Sequence, residues 1–146
     1  MPERACIAIR VRPAWASDGD RCAEIFLASR QAAFPGQPAR SFDLEDYYRS
    51  VEDEEVWVAE IDGLVAGFIS VFRPENMIRN VFVAPRWQHR GVGSALLEQA
   101  RIALHGPARL QCLATNQNAR AFYERNGWVI ETKSHLKVEP FVIYRK

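Results

Sequence analysis

The stretch Val81-Phe82-Val83-Ala84-Pro85-Arg86-Trp87-Gln88-His89-Arg90-Gly91-Val92-Gly93-Ser94 decides how this chain reads. A run rich in β-branched and aromatic residues ends at Pro85, a polar loop follows, and glycines open a segment with helical apolar spacing. The first turn of a helix leaves backbone N–H groups without partners, and the helix dipole adds partial positive charge there. Glycines let a bulky anion come close to that backbone. Strand, loop and glycine-opened helix together read either as a plain turn into a helix or as a pyrophosphate site, with Arg86 and Arg90 placed to add charge at its rim. Two other nucleotide loops fail on the residues. A phosphate loop of the Gly-Lys-Ser/Thr kind needs a lysine after its glycine, and Gly93 is followed by Ser94 and Ala95. A dinucleotide fingerprint needs a third small residue where Leu96 stands, and it usually opens a unit near a domain start rather than late in a chain.

Upstream of this stretch, residues 77–83 read as the strand that feeds the loop. Before it, the β-rich runs Val56–Ile61 and Leu64–Phe72 flank Asp62-Gly63, the sequence of a type I′ hairpin turn, which needs positive φ at both central positions. Nearer the N-terminus, residues 6–12 read as a first strand. Ser17 with Asp20 reads as a capping-box-like helix start, and Cys22, Ile25, Phe26 and Ser29 line one face of the helix that follows. Pro35-Gly36-Gln37-Pro38 ends it. A short second helix carries Leu44, Tyr47, Tyr48 and Val51 on one face.

Downstream, residues 91–105 read as a helix with Val92, Leu96, Ala100 and Leu104 stacked on one side. Leu110–Ala114 reads as a short buried strand. Asn116–Asn126 reads as a helix, with Gly127 in the left-handed position past its end. Residues 128–133 and 140–145 complete the chain as strands. The order β-α-α-β-β-β-α-β-α-β-β predicts an α+β fold around a mixed sheet.

Composition bounds the reading without sharpening it. The 146 residues fit one domain, over 1–146, with one substantial core. Apolar residues at 48%, charged residues at 25% and a net charge of +1 give no strong field toward nucleic acid or a membrane surface. No apolar run is long enough to span a bilayer, and Met1–Arg12 is too short and too charged for a secretory signal. Cys6, Cys22 and Cys112 are widely spaced and off metal-ligand spacing. They read as buried thiols in a reducing, cytoplasmic compartment.

Two groups of residues, taken together, resemble the GNAT family of N-acetyltransferases. Gln88-His89-Arg90-Gly91-Val92-Gly93, after Val83-Ala84-Pro85, matches the family pattern Gln/Arg-x-x-Gly-x-Gly/Ala behind a strand ending Val-x-Pro. Asn116, Ala119, Tyr123, Gly127 and Trp128 match a second pattern, Asn-x-x-Ala-x-x-x-Tyr-x-x-x-Gly followed by an aromatic. The two stand in the family's order, with a helix and a strand between them, and the resemblance covers nearly the whole chain. It implies a mostly antiparallel, twisted central sheet flanked by helices. It implies acetyl-CoA as cosubstrate and acetyl transfer to a primary amine of a small molecule or peptide, by direct attack in a ternary complex. The same motifs would serve a longer acyl group, or a non-catalytic acyl-CoA-binding sensor or interaction module. An amine substrate is the partner implied, with no nucleic acid, no membrane, and a homodimer compatible with the fold.

The resemblance also implies roles for single residues. Backbone groups of Val81, Phe82 and Val83 would pair with the pantetheine arm where this strand splays from its neighbour, and the Val83 amide would face the thioester carbonyl. Backbone amides of Gln88, His89, Arg90, Gly91, Val92, Gly93 and Ser94 would hold the pyrophosphate. Asn116 either caps its helix alone or contacts the cofactor as well. Tyr123 is either a core aromatic or the phenol that protonates the departing thiolate. Relatives often carry a glutamate on the strand before the glycine loop, where it helps to deprotonate the amine. Here that stretch is Met77-Ile78-Arg79-Asn80, which has no base, and Glu75, His135 or water remain. The acceptor side falls on Arg30, Phe34, the loop 35–40, Tyr47, Tyr48 and the turn 134–140.

Overall fold

The computed structural model describes residues 8–134 and 140–146. Among the described residues the strands are β1 (Arg10–Pro13), β2 (Glu55–Ile61), β3 (Leu64–Phe72), β4 (Met77–Val83), β5 (Arg109–Leu113), β6 (Val129–Lys133) and β7 (Phe141–Arg145). They form a 7-stranded sheet in the order β1-β2-β3-β4-β5-β7-β6. β4 and β5 run parallel, and the other neighbouring pairs are antiparallel. The β2–β3 hairpin turns at Asp62 and Gly63, with φ of 51° and 77°, the two left-handed residues a type I′ turn requires.

The helices are α1 (Gly19–Ala33), α2 (Glu45–Ser50), α3 (Val92–Ala103) and α4 (Gln117–Arg125). Strand alternation divides the core between the two faces of the sheet. On one face Ile69, Val71 and Ile78 pack with Val92, Leu96, Ala100 and Leu104 of the α3 segment and with Tyr123 of α4. On the other, Val58 and Phe68 pack with Cys22, Ile25 and Phe26 of α1 and Tyr47 of α2. Burying each such aliphatic side chain contributes about 1.5–3 kcal/mol, which outweighs the weak intrinsic propensity of these short helices.

Three local expectations change. The first strand is Arg10–Pro13, and residues 1–7, including Cys6, lie outside the described residues. The start of α1 is not organised by Ser17 and Asp20: the Trp15 N–H donates to the Asp18 carboxylate at 2.6 Å, and Asp20 instead accepts from the Tyr48 hydroxyl at 2.7 Å. Asp18 is drawn inward because Arg12, itself buried, grips it at 2.8 Å. The apolar face read on α2 is only partly buried: Tyr47 is in the core, while Leu44 and Tyr48 are exposed.

The feature that positions everything else is the parting of β4 from β5. Their pairing holds at Met77 with Arg109 and at Ile78 with Leu110, and ends there. On the other edge, Ser70 pairs with Asn80 and Val71 with Ile78, so Arg79 is an extra residue in β4. A bulge of this kind bends its strand and increases local twist. β4 stays on β3 through Val81, Phe82 and Val83, and a cleft opens between it and β5.

Candidate active site

The cleft has a volume of about 460 Å³. Its walls are Val81 and Phe82 from β4, Gln111, Cys112 and Leu113 from β5, Asn116, Ala119 and Tyr123 around α4, and Phe26, Arg30 and Phe34 from the α1 side. The direction of the β4 backbone follows from one bond. The Ala84 N–H donates to the Ala66 carbonyl of β3 at 2.8 Å. Successive residues of a strand point their N–H and C=O groups to opposite edges, so those of Val83 and Val81 face the edge where β5 has left, whereas those of Phe82, expected to share that role, face β3. That edge is a free strand template beside a cleft.

The loop beyond β4 is held against it. Gln88 donates its side-chain amide to the Val83 carbonyl at 3.2 Å, a contact its place in the motif did not suggest. His89 and Gly91 have φ of 63° and 87°, and left-handed residues in a turn are what gather backbone N–H groups into an anion-binding concavity. The first hydrogen bond of α3 runs from the Ala95 N–H to the Gly91 carbonyl at 3.0 Å, leaving the N–H groups of Val92, Gly93 and Ser94 without helical acceptors. A Cβ on Gly91 would meet nothing within 4 Å, so the backbone there is open to a large ligand. Gly93 has a different reason: a Cβ on it would lie 2.9 Å from Phe122. The guanidinium groups of Arg86 and Arg90 lie over the Trp87 ring, at 4.9 and 5.7 Å from its centroid, and both side chains are exposed beside the loop.

Asn116 both caps α4, accepting the Ala119 N–H at 3.1 Å, and lines the cleft. Arg120 ties α4 to the sheet through the Tyr144 hydroxyl and the Ala114 carbonyl, each at 3.2 Å. Tyr123, thus fixed, is 7% exposed and lines the cleft from the core side. Burial, with smaller effects from Cys112 and Tyr144, raises its pKa above the ordinary phenol value, so it keeps its proton at neutral pH. The Cys112 thiol beside it is pushed up to about 11 by burial and is likewise protonated at neutral pH.

Several expected site residues lie elsewhere. Tyr47 is 4% exposed in the α1–α2 core, and the Tyr48 hydroxyl is committed to Asp20, so neither lines the cleft. Glu75 is 52% exposed, pairs with Arg79 at 3.5 Å and does not line the cleft. His135 and most of the turn 134–140 lie outside the described residues.

One wall residue was not legible as a site residue at all. Glu54 precedes β2 in the acidic run Glu52-Asp53-Glu54-Glu55, which looks like a solvated turn. Asp53 has φ of 64°, and the Glu54 N–H closes the turn on the Val51 carbonyl at 2.9 Å. The Glu54 side chain is thereby directed inward, 4% exposed, onto the cleft wall. It accepts the Ser70 hydroxyl at 2.6 Å. Desolvation raises its pKa above the ordinary carboxylate value, against opposing effects from Ser70, Arg79 and Asn80.

With this geometry in view, comparisons with known proteins agree on one class. A family model described as Acetyltransferase (GNAT) domain matches residues 52–130. The peptidyl-lysine N-acetyltransferase YiaC of Escherichia coli is 35% identical over 74 residues, 51% of this chain and 49% of that protein, so the match spans about half of that relative's length. An N-acetyltransferase of Archaeoglobus fulgidus, described as uncharacterized, is 29% identical over 79% of this chain and 89% of its own. Among solved structures, the PaiA N-acetyltransferase of Thermoplasma acidophilum in complex with coenzyme A superposes with a TM-score of 0.78. It is 20% identical, over 96% of this chain and 99% of that one, a likeness of fold.

Proposed function

Because the chain belongs to the acetyltransferase (GNAT) domain family, we propose that it is an acetyl-CoA-dependent N-acetyltransferase that passes the acetyl group directly to a primary amine in a ternary complex, with Tyr123 as proton donor. The observation that carries this reading is the parting of β4 from β5, which leaves the outward backbone groups of Val81 and Val83 on a cleft that Tyr123 also lines. Residues 1–146 act in this reading as one acetyltransferase domain. Its setting is the cytoplasm, where free thiols such as Cys22 and Cys112 persist.

The residues fit acetyl-CoA. Val81 and Val83 offer strand-like hydrogen bonds to the amide-bearing arm. The turn from Gln88 to Gly91 and the first turn of α3 offer N–H groups and positive potential to the pyrophosphate, with Arg86 and Arg90 adding charge at the rim. Asn116 lines the cleft while holding its helix cap. Bound there, acetyl-CoA supplies an activated acetyl thioester.

The chain's own groups then have three tasks. The Val83 N–H, on the open edge, stabilises negative charge developing on the thioester oxygen. Tyr123, protonated and immobilised by α4, donates its hydroxyl proton to the sulfur as the C–S bond breaks. The cleft walls from α1, including Arg30 and Phe34, receive the amine. A protonated Cys112 argues for direct attack over an acyl-cysteine.

The acceptor class is a small-molecule or peptide amine. Lysine in a peptide is the first to test, given the activity named for the E. coli relative. The test is thiol release from acetyl-CoA across amines, amino acids and lysine peptides. Amine-stimulated release with stoichiometric N-acetylation is expected. Tight acetyl-CoA binding with no amine-dependent release would overturn catalysis in favour of a binding module.

A further inference from the structure

We infer that Glu54 is the proton acceptor that frees the attacking amine, a carboxylate delivered into the cleft from the turn before β2 rather than from β4. This rests on the acetyl-transfer reading above and assigns the one task left open there.

The argument is geometric. A buried carboxylate is costly unless it is neutralised or hydrogen-bonded. The Glu54 side chain is 4% exposed, and Arg79 Nη1 lies 3.9 Å from its Oε2 while Nη2 of the same guanidinium pairs with Glu75 at 3.5 Å. The one short hydrogen bond of Glu54 among the described residues is to a neutral hydroxyl, at the end of a chain that runs in one direction. The Ser50 hydroxyl donates to Asn80 Oδ1 at 3.3 Å, the Asn80 amide donates to Ser70 Oγ at 2.8 Å, and the Ser70 hydroxyl donates to Glu54 Oε1 at 2.6 Å. The chain of donors ends on the carboxylate through Ser70, which orients it without cancelling its charge. The ion pair with Arg79 is long, and the same guanidinium also pairs with exposed Glu75, so among the described residues no cation is committed to this carboxylate alone. Asn80, on β4, acts as a bridge to the carboxylate.

The charged and titratable groups lining the same cleft are Arg79 of β4, Arg30 of α1, Cys112 of β5 and Tyr123 of α4. Cys112 and Tyr123 stay protonated through neutral pH. Among these groups Glu54 alone changes charge on the acid side of neutrality. Burial moves its pKa upward, toward the range useful to a general base.

The proton count closes. The amine enters as an ammonium, and Glu54 takes one proton from it, directly or through one water, and later releases that proton to solvent. The freed nitrogen forms the C–N bond to the thioester carbon, and the C–S bond breaks. Tyr123 protonates the sulfur, and the second proton shed by the nitrogen restores the phenol. The products are the amide, the free thiol and one proton.

The experiment uses the full chain, acetyl-CoA and the best amine of the panel, comparing wild type with Glu54→Gln and Glu54→Asp. In wild type, kcat/KM falls tenfold per pH unit below the Glu54 pKa. In Glu54→Gln, kcat falls about 100-fold or more, the break at the Glu54 pKa disappears, and the residual rate climbs steadily with pH toward the pKa of the amine, because only amine already free in solution can attack. Glu54→Asp keeps the limb at an intermediate rate. Acetyl-CoA affinity by calorimetry stays within about twofold of wild type. The melting temperature of Glu54→Gln at neutral pH is equal or higher, since an ionised carboxylate has left a desolvated site. Full kcat with an intact acid limb in folded Glu54→Gln would overturn the assignment of Glu54 alone. A wild-type chain that binds acetyl-CoA and acetylates no amine would overturn the acetyl-transfer reading, and this one with it.

Discussion

The missing Cβ of Gly93 in α3 points at the ring of Phe122 in α4, where a methyl group would lie 2.9 Å from Cζ. Phe122 in turn lies against Tyr123, with ring centroids 5.5 Å apart. The loop that reads as a cofactor site is thus packed, through one glycine, onto the helix that carries the phenol. Gly93→Ala is expected to cost about 1 kcal/mol net. Overpacking costs about 1–3 kcal/mol, and replacing a helical glycine by alanine returns up to about 1 kcal/mol. Phe122→Leu should relieve the clash, so the alanine is nearly neutral in that background. A urea-unfolding double-mutant cycle measures the coupling. Equal costs in both backgrounds would remove the contact as the reason for this glycine.

Gly91 is expected to behave differently, because space around it is open while its φ of 87° disfavours any side chain. Gly91→Glu should lose about 1–2 kcal/mol of stability from the left-handed backbone, keep the fold by circular dichroism, and lose acetyl-CoA binding by more than about tenfold in calorimetry. The cause is a side chain and a negative charge placed against the pyrophosphate. Unchanged affinity in a folded variant would exclude this loop as the cofactor site.

Tyr123→Phe keeps the ring in the core and deletes only the hydroxyl. It should lower kcat about 100-fold, within the usual range for loss of a general acid, and leave the KM for acetyl-CoA nearly unchanged. Stability should stay close to wild type, since the ring contacts with Phe122 and Tyr144 remain. A variant with full kcat on a good amine would show that water protonates the thiolate.

Acetyl-CoA should stabilise the folded chain by about 2.7 kcal/mol at a hundredfold excess over Kd. For a chain of this size that raises the melting temperature by about 5–10 °C. ATP and NAD should give much smaller shifts, because the loop lacks the lysine and the third small residue their motifs need. A matching shift with either would reopen those alternatives.

Acid stability should depend on the buried cluster at the start of α1. Arg12 binds Asp18 at 2.8 Å and Glu60 at 2.9 Å, and its hydrogen bond holds the Asp18 carboxyl below the ordinary range. A lowered folded pKa contributes stability that is present above the unfolded value, about 3.9, and is lost as pH falls through the folded value. Asp18→Asn should therefore cost about 3 kcal/mol at pH 7, the low end for breaking a buried pair because Glu60 still faces Arg12. The two unfolding curves should begin to approach each other below about pH 4 and converge only once the pH has fallen past the lowered Asp18 value. A difference that persists undiminished into acid would mean that packing, not charge, holds this corner.

The sequence by itself determined what depends on near neighbours along the chain. Asp62-Gly63 specifies its turn because two adjacent residues must take left-handed backbone. Asn116 specifies the start of α4 because its side chain reaches the N–H of Ala119. The segment from Gln88 to Gly93 specifies a loop and helix start, because conformational freedom and unpaired N–H groups are local properties. The tertiary structure alone decided what depends on residues far apart. The bulge at Arg79 and the early end of β4–β5 pairing set the cleft, and they arise from strands brought together by the whole sheet. Tyr47 turns into the core although it shares a short helix with exposed Tyr48, because only α1 and β3 define which side is inside. Glu54 is indistinguishable in sequence from its acidic neighbours. It becomes a desolvated carboxylate on the cleft wall only because Ser70, sixteen residues on, donates to it from the facing strand. Burial is a property of the packed chain, and a pattern of residue types along one segment does not contain it.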